Sequence, residues 1–134
     1  MKRTSIFIIE KDIVVANLIR YKLMAHQVSQ VQIFPTITEC LYFIQKRSVP
    51  DFIIADLSLP EINGSNFLKA VKSLYPRVRV VFLSPFSDDM LLSQLLEEGA
   101  SDYIFKSGQQ EAWIHELVKN LEYLTRKATR GNQF

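Results

Sequence analysis

Five short apolar runs, each bounded by polar or turn-forming residues, constrain this chain more than any other feature of its sequence. Four of them, at residues 6–9, 52–55, 78–83 and 103–105, are almost continuously apolar and rich in β-branched or aromatic side chains. Such runs are typical of strands buried on both faces of a sheet. The fifth run, at residues 31–34, is more polar and suits an outer strand.

Segments with helical spacing of apolar residues fill the gaps between these runs. The first helical stripe uses apolar positions 14, 15, 18, 19 and 23, and the fifth helix extends from about residue 113 to residue 124. Side chains that commonly cap helices precede the first four stripes. The predicted caps are Asp12, Thr36 with Glu39, Asn63 before Gly64, and Ser87 or Asp88, while Gly99 ends the fourth helix.

The resulting order is strand then helix, repeated five times, which predicts right-handed crossovers and a parallel sheet. We therefore expect a doubly wound α/β sandwich of the flavodoxin-like (βα)5 class. The strand order 2-1-3-4-5 is the order of that class and is not readable from the sequence itself. One domain is expected over residues 1–125, and residues 126–134 are a polar tail or the start of a linker.

Charge and cysteine content exclude several classes of protein. The net charge of +2 gives no electrostatic footprint for nucleic acid, and no apolar stretch approaches the length of a membrane span. Cys40 is the single cysteine, which rules out a disulfide within the chain and a Cys-His metal cluster. A reduced, cytoplasmic location is expected, because nothing near Met1 resembles a signal peptide.

Polar residues that directly follow the apolar runs are the candidates for function, because ligands of open parallel sheets bind at the carboxyl ends of the strands. A carboxylate can attack a phosphoryl group, a hydroxyl and an ammonium can stabilise its oxygens, and carboxylates can hold a hard cation such as Mg²⁺. Each residue taken alone would more often be a cap or a surface side chain, and only their conjunction is specific. The candidates are Glu10, Lys11, Asp12, Asp56, Ser84 and Lys106.

Two segments resemble bacterial response regulator receiver domains of two-component signalling. Residues 51–64, with Asp56, Pro60 and Gly64 at the typical spacing, are similar to the phosphorylation-site signature, and residues 99–106 are similar to the segment that ends in Lys106. The resemblance covers residues 4–125. It implies a phosphorelay domain that switches partner binding through its fourth helix, fifth strand and fifth helix after a histidine kinase or phosphotransfer protein supplies the phosphoryl group.

The resemblance also implies a role for each matching residue. Asp56 matches the phosphoryl acceptor, Lys106 and Ser84 match the groups that contact the phosphoryl oxygens, and Ser84 with Tyr103 matches the switch pair. For Mg²⁺ it implies ligands from Glu10, Asp56 and the backbone carbonyl of Ser58. A homodimer through the switching face is an expectation from the resemblance alone. Leu91, Leu95 and Trp113 are candidates for that face, but core packing is the favoured role of all three.

Three positions depart from the pattern of the family. Lys11 replaces the second acid that usually holds Mg²⁺, so metal binding is expected to be weakened or absent. Asp12 is an alternative ligand, and Lys11 could instead pair with Asp56 or point outward. Pro85 follows Ser84 and removes a backbone donor, and Ser107 follows Lys106 where many receivers have proline.

Two hypotheses from different classes remain open. The first is a phosphorylated switch with Asp56 as the acceptor, and the second is a pseudo-receiver that docks a protein partner without phosphorylation because Lys11 has disabled the metal site. An enzymatic role is not expected. The chain lacks a phosphate-cradling loop after its first strand, and Ser58 stands where aspartate-nucleophile phosphatases usually have a second aspartate.

Overall fold

The computed structural model describes the backbone of residues 3–58 and 63–131, and the side chains of this part up to residue 127. Pro60 of the signature lies outside it. Five strands alternate with five helices, as predicted. The strands are β1 (Ser5–Ile9), β2 (Gln30–Phe34), β3 (Phe52–Asp56), β4 (Arg79–Ser84) and β5 (Asp102–Phe105). The helices are α1 (Ile13–Ala25), α2 (Ile37–Lys46), α3 (Gly64–Leu74), α4 (Asp89–Glu97) and α5 (Gln110–Gly131).

All strand pairs are parallel, and the strand order is β2-β1-β3-β4-β5. The flavodoxin-like class and its strand order are thereby confirmed. Every residue of the central strand β3 is buried, whereas the outer strand β2 alternates between exposed and half-buried residues before Phe34. The polar character of residues 31–34 therefore predicted an outer strand correctly, whereas the prediction of burial on both faces is wrong for β5, an edge strand in which only Ile104 is buried.

Two hydrophobic cores cover the two faces of the sheet. The first packs α1 and α5 against one face and includes Ile19, Leu117 and Trp113. The second packs α2, α3 and α4 against the other face and includes Leu68 and Leu95. Core packing of Leu95 and Trp113, the role favoured from the sequence, agrees with their exposures of 0% and 4%.

The predicted helix caps also match the structure. The side chains of Asp12, Thr36, Asn63 and Asp88 each accept hydrogen bonds from backbone N–H groups in the first turn of the helix that follows. Asp88 rather than Ser87 caps α4, and Gly99 follows the C-terminal end of this helix with a φ of 111°. A positive φ of this kind favours glycine, which explains why the helix ends there.

Helix α5 continues beyond residue 125, where the sequence analysis placed the end of the domain, and runs to Gly131. The guanidinium of Arg79 donates a hydrogen bond of 2.7 Å to the carbonyl of Leu124, which ties this part of α5 to β4. In the described part of the chain, no helix is both long and apolar enough to cross a membrane.

Candidate functional site at the carboxyl edge of the sheet

Parallel backbone pairing aligns the carboxyl ends of all five strands at one edge of the sheet. The N–H of Glu10, directly after β1, donates to the carbonyl of Phe34 at the end of β2. Asp56 is the last residue of β3, and the N–H of Lys106, directly after β5, donates to the carbonyl of Ser84 at 2.8 Å. The predicted candidates therefore meet at one edge, as expected for parallel strands.

The Asp56 carboxylate is held by three donors. It is only 2% exposed, and its Oδ2 accepts from Lys106 Nζ at 3.0 Å and from the Ser58 hydroxyl at 2.8 Å. Its Oδ1 accepts from the backbone N–H of Ser58 at 3.0 Å. These contacts fix the orientation of the carboxylate at the floor of the site.

The buried carboxyl groups of Glu10 and Asp56 both contact the Lys106 ammonium, and their pKa values are shifted in opposite directions. Burial, together with the neighbouring Asp56 carboxylate, raises the pKa of Glu10 to about 8. Burial also opposes ionisation of Asp56, but the neighbouring Glu10 carboxyl, the hydrogen bonds from Ser58 and the charge of Lys106 outweigh it, so the pKa of Asp56 is lowered. At neutral pH Asp56 is therefore ionised and Glu10 holds a proton.

Lys106 is the central cation of the site. Its Nζ lies 3.0 Å from Asp56 Oδ2 and 3.5 Å from Glu10 Oε1, and it sits over the ring of Trp113 at 5.4 Å from the centroid. The Lys106 side chain is 14% exposed, so its charge is partly withdrawn from water. This position lets it contact any anion that enters the site from solvent.

An open cavity of about 390 Å³ leads to these groups. It is large enough for a phosphoryl-sized group and is lined by seven of the predicted residues and by four that were not predicted as site residues. The predicted residues are Glu10, Lys11, Asp12, Asp56, Ser58, Pro85 and Lys106, and the others are Val15, Gly108, Gln110 and Trp113.

Lys11 and Asp12 line the mouth of this cavity rather than its floor. Lys11 is exposed and makes no ion pair with any described residue, so the hypothetical Lys11–Asp56 pair is absent among them and Lys106 occupies that place. Asp12 Oδ1 accepts from the N–H groups of Val14 and Val15 and so caps α1. Recruiting this carboxylate to a metal would compete with its capping role.

Ser84 and Tyr103 do not line the cavity, and both side chains contact the backbone of Phe86 instead. The Ser84 hydroxyl accepts from the N–H of Phe86 at 3.0 Å and donates to its carbonyl at 3.2 Å, while the Tyr103 hydroxyl donates to the same carbonyl at 3.1 Å. The Phe86 backbone thus joins the two predicted switch residues. Ser107 is exposed, and its N–H donates to the carbonyl of Phe105.

The donors present fit Mg²⁺ poorly. Glu10 Oε2 is buried without a hydrogen-bond partner among the described residues, which is a feature a cation could satisfy. The Lys106 ammonium, 3.5 Å from Glu10 Oε1, opposes a cation there, and no group of three or more acidic, histidine or cysteine side chains in the described ranges could hold a metal. Lys11 adds a further positive charge at the mouth.

Two contacts at the site were not predicted from the sequence. The Ser58 hydroxyl donates to Asp56, although only the Ser58 carbonyl was expected to matter. The Ser58 N–H donates to the same carboxylate, and an aspartate that accepts from the backbone two residues on is a recognised local pattern. Trp113 forms part of the cavity wall beside Lys106. No sequence signal distinguishes this tryptophan from the other apolar residues of its helical stripe.

Comparison with known proteins agrees with this architecture. The family model described as "Response regulator receiver domain" matches residues 6–119. The transcriptional regulatory protein LnrK of Bacillus subtilis (strain 168) is 39% identical over 61 residues, which cover 46% of this chain and 28% of that protein. The transcriptional regulatory protein CreB of Escherichia coli (strain K12) is 30% identical over 106 residues, covering 79% of this chain and 45% of that protein.

Solved structures agree on the fold. The RcsB response regulator of Salmonella typhimurium aligns with a TM-score of 0.80 at 21% identity, covering 95% of this chain and 62% of that one. The chain spans less than half the length of LnrK and CreB. On the family match over most of its length, the chain belongs to the response regulator receiver domain family of two-component systems.

Proposed function

We propose that Asp56 accepts a phosphoryl group and that this modification switches the binding of a protein partner. The observation that carries the proposal is a buried, ionised carboxylate at the floor of an open cavity, with an ammonium 3.0 Å away. Buried carboxylates are costly unless they are paired, and this one is held by Lys106 and Ser58 in a fixed orientation. Such a group is prepared for nucleophilic attack.

The chemistry needs no general base, because the lowered pKa of Asp56 keeps it ionised at neutral pH. A carboxylate oxygen of Asp56 forms a bond to phosphorus, and the bond between phosphorus and the donor's leaving group breaks. The product is an acyl phosphate, and the electron pair of the broken bond stays with the donor. The Lys106 ammonium stabilises the negative charge on the phosphoryl oxygens.

The proposed switch joins the site to the surface formed by α4, β5 and α5. Ser84 would turn from Phe86 toward the phosphoryl oxygens, which would remove two of the hydrogen bonds at the Phe86 backbone and change the position of Tyr103. Phosphorylation can shift this equilibrium only through a difference in contacts between the two states, and the Ser84 hydroxyl supplies such a difference. Pro85, directly after Ser84, limits how far this loop can move.

We propose that Mg²⁺, when bound, uses Glu10, Asp56 and the Ser58 carbonyl, and that it binds weakly. A bound Mg²⁺ would neutralise charge on the phosphoryl group. In this chain Lys11 stands where other receivers have the second acid, so a metal ligand is lost and we expect phosphorylation to depend less on Mg²⁺ than it does in those receivers.

A phosphorylation-independent docking module is the second candidate. It is favoured by Lys11 at the cavity mouth and by the charge balance between Asp56 and Lys106, which leaves the site stable without a modification. Lys11→Asp separates the two candidates. Mg²⁺-dependent labelling that appears only in this variant would support the docking module, whereas labelling of the native chain would contradict it.

A sensor histidine kinase or a phosphotransfer protein is the proposed phosphodonor. Receiver domains are generally signalling domains rather than enzymes, and we propose no metabolic activity for this one. Direct contact with nucleic acid or a membrane is not proposed. A homodimer through α4, β5 and α5 is proposed, and the cytoplasmic location stays a prediction.

The position of the modification can be tested directly. After incubation with acetyl phosphate, borohydride reduction converts an aspartyl phosphate into a stable residue that tandem mass spectrometry can locate. We expect the modified peptide to carry the reduced residue at position 56, and Asp51→Asn serves as a control for an exposed aspartate at the opposite end of β3. Modification at another aspartate in the native chain would contradict the proposal.

A further inference from the structure

Trp113 lies in the first turn of α5, buried on one side and facing the cavity on the other. Its side chain is 4% exposed and belongs to the core between the sheet, α1 and α5. The same side chain lines the cavity that leads to Asp56. A core residue would not need this second contact, so its position beside the reactive groups calls for an explanation.

The indole completes the surroundings of the Lys106 ammonium. Two carboxyl groups contact Nζ, at 3.0 Å for Asp56 and 3.5 Å for Glu10, and the Trp113 ring centroid lies 5.4 Å away. This distance is within the range in which a cation is attracted to the face of an aromatic ring, and tryptophan gives the strongest such attraction. The contact is partly desolvated, because the lysine side chain is only 14% exposed.

A lysine needs such support more than an arginine would. Its charge sits at the end of a flexible four-carbon chain, and holding that chain in one conformation costs rotamer entropy. During phosphorylation the negative charge moves from the Asp56 carboxylate to the phosphoryl oxygens farther out. The carboxyl contacts of Lys106 weaken at that step, whereas the aromatic contact does not depend on the charge of Asp56.

We propose that Trp113 is a positioning residue that holds the Lys106 ammonium at the cavity, where it can follow the charge from Asp56 to the phosphoryl group. This role rests on the proposed phosphorylation of Asp56. Trp113 acts only through Lys106 and touches no reacting atom. The contribution expected from a cation–π contact of this kind corresponds to about a two- to fivefold effect on the rate of phosphorylation.

Comparing Trp113→Phe with Trp113→Leu isolates the aromatic face, because both variants are smaller than tryptophan and only phenylalanine keeps a ring. The rate of labelling by acetyl phosphate is measured for each, in the native background and with Lys106→Met. We expect Trp113→Leu to be about two- to fivefold slower than Trp113→Phe in the native background, and the two to be equal with Lys106→Met. Circular dichroism verifies that each variant is folded.

Two results would overturn the positioning role. The first is a ratio of labelling rates between Trp113→Phe and Trp113→Leu that is the same in the native and Lys106→Met backgrounds. This result would mean that Trp113 acts through the fold and not through Lys106. The second is a Trp113→Phe variant as slow as Trp113→Leu, which would mean that the aromatic face is irrelevant.

A measurement without phosphorylation separates this inference from the proposed function. The chain has one tryptophan, so its fluorescence reports on Trp113 alone. We expect Lys106→Met to shift the emission maximum. Lys11→Met is the matched control, since Lys11 lines the same cavity but has no ring contact among the described residues, and it should leave the emission unchanged.

The two arms give distinguishable outcomes. Equal emission in the native chain and in Lys106→Met would overturn the contact. An emission shift in a chain that acetyl phosphate never labels would support the contact and overturn the phosphorylation of Asp56 instead.

Discussion

Glu10 and Asp56 are both buried carboxyl groups that contact the same ammonium, yet they differ in their number of donors. Asp56 accepts three hydrogen bonds, from Ser58 and Lys106. Glu10 has one long contact at 3.5 Å and one oxygen with no partner among the described residues. Donors stabilise the charged form of an acid and burial destabilises it, so the proton resides on Glu10 and the nucleophile stays charged.

Replacement of Glu10 by glutamine should change how stability depends on pH. The pKa of Glu10 is raised to about 8 in the folded state, so the folded chain binds more protons than the unfolded chain between its ordinary value of 4.5 and about 8. The contribution of Glu10 to the stability of the native chain should therefore be fully present below pH 4.5 and should be lost as the pH rises toward about 8. Between pH 4.5 and about 8, the free energy of unfolding should fall by roughly 2 to 4 kcal/mol less in Glu10→Gln than in the native chain. Urea unfolding at a series of pH values would measure this difference.

The control for this prediction is Glu116→Gln, which removes an exposed carboxylate from α5. It should leave the pH profile of stability close to that of the native chain. Parallel profiles for Glu10→Gln and the native chain would show that Glu10 does not hold a proton in the folded state.

Most of the residues that line the cavity were predicted from the sequence to lie together, but their contacts were not. Asp56 and Lys106 directly follow apolar runs, and the parallel sheet brings such positions together whatever the details of packing. The Ser58 hydroxyl and the Trp113 ring contribute through rotamers and through the angle at which α5 crosses the sheet. Both depend on the packed structure and leave no trace in residue spacing.

The buried face of helix α1 differs from the face that the spacing of its apolar residues predicted. The predicted stripe included Val14 and Leu18, but these are 64% and 40% exposed, and Ala16 is buried instead. Apolar residues occur on all sides of this helix, so spacing alone could not define the face toward the core. Helix α4 behaves similarly, since Leu95 is buried and Leu96 is 43% exposed.

The N-terminus of α1 allows the capping role of Asp12 to be separated from a metal-binding role. Asparagine caps helices as well as aspartate does but provides no carboxylate. We expect Asp12→Asn to be as stable as the native chain and Asp12→Ala to lose about 1 kcal/mol in chemical unfolding. The effect of Mg²⁺ on labelling should be the same in Asp12→Asn as in the native chain.

A different result for Asp12→Asn would be informative. If this variant kept its stability but lost the effect of Mg²⁺, Asp12 would be the acid that substitutes for the one replaced by Lys11. The hydrogen bonds from Val14 and Val15 would then have to be compatible with metal binding.

At the scale of the whole molecule, the order of elements determines both the core and the site. Helices pack against both apolar faces of the sheet and form the two cores. The residues at the carboxyl ends of β1, β3 and β5 lie at one edge of the same sheet and form the site. Alternation of strands and helices predicted this architecture, while the strand order came from the fold class. The sequence could not predict the conformations of Ser84 and Tyr103, because the two side chains meet through the backbone of Phe86.

Phosphorylation should also change the oligomeric state if α4, β5 and α5 form the switching surface. Met90, Leu96 and Phe105 are exposed apolar residues of α4 and β5. We expect acetyl phosphate to raise the dimer fraction in analytical ultracentrifugation, and Met90→Glu to lower the association constant by about tenfold. Met24→Glu, at an exposed methionine of α1, is the matched control and should have little effect.

Dimerisation that is equal in Asp56→Asn and in the native chain would contradict a switch at this surface. Equal effects of Met90→Glu and Met24→Glu would instead show that the dimer, if it forms, uses a different surface.

Intact mass after incubation with acetyl phosphate, with and without Mg²⁺, tests the central claim most directly. We expect one phosphoryl adduct in the native chain, none in Asp56→Asn, and a smaller dependence on Mg²⁺ in the native chain than in Lys11→Asp. A folded native chain that gains no adduct at millimolar Mg²⁺ would contradict phosphorylation of Asp56 and leave the docking module as the function of this receiver domain.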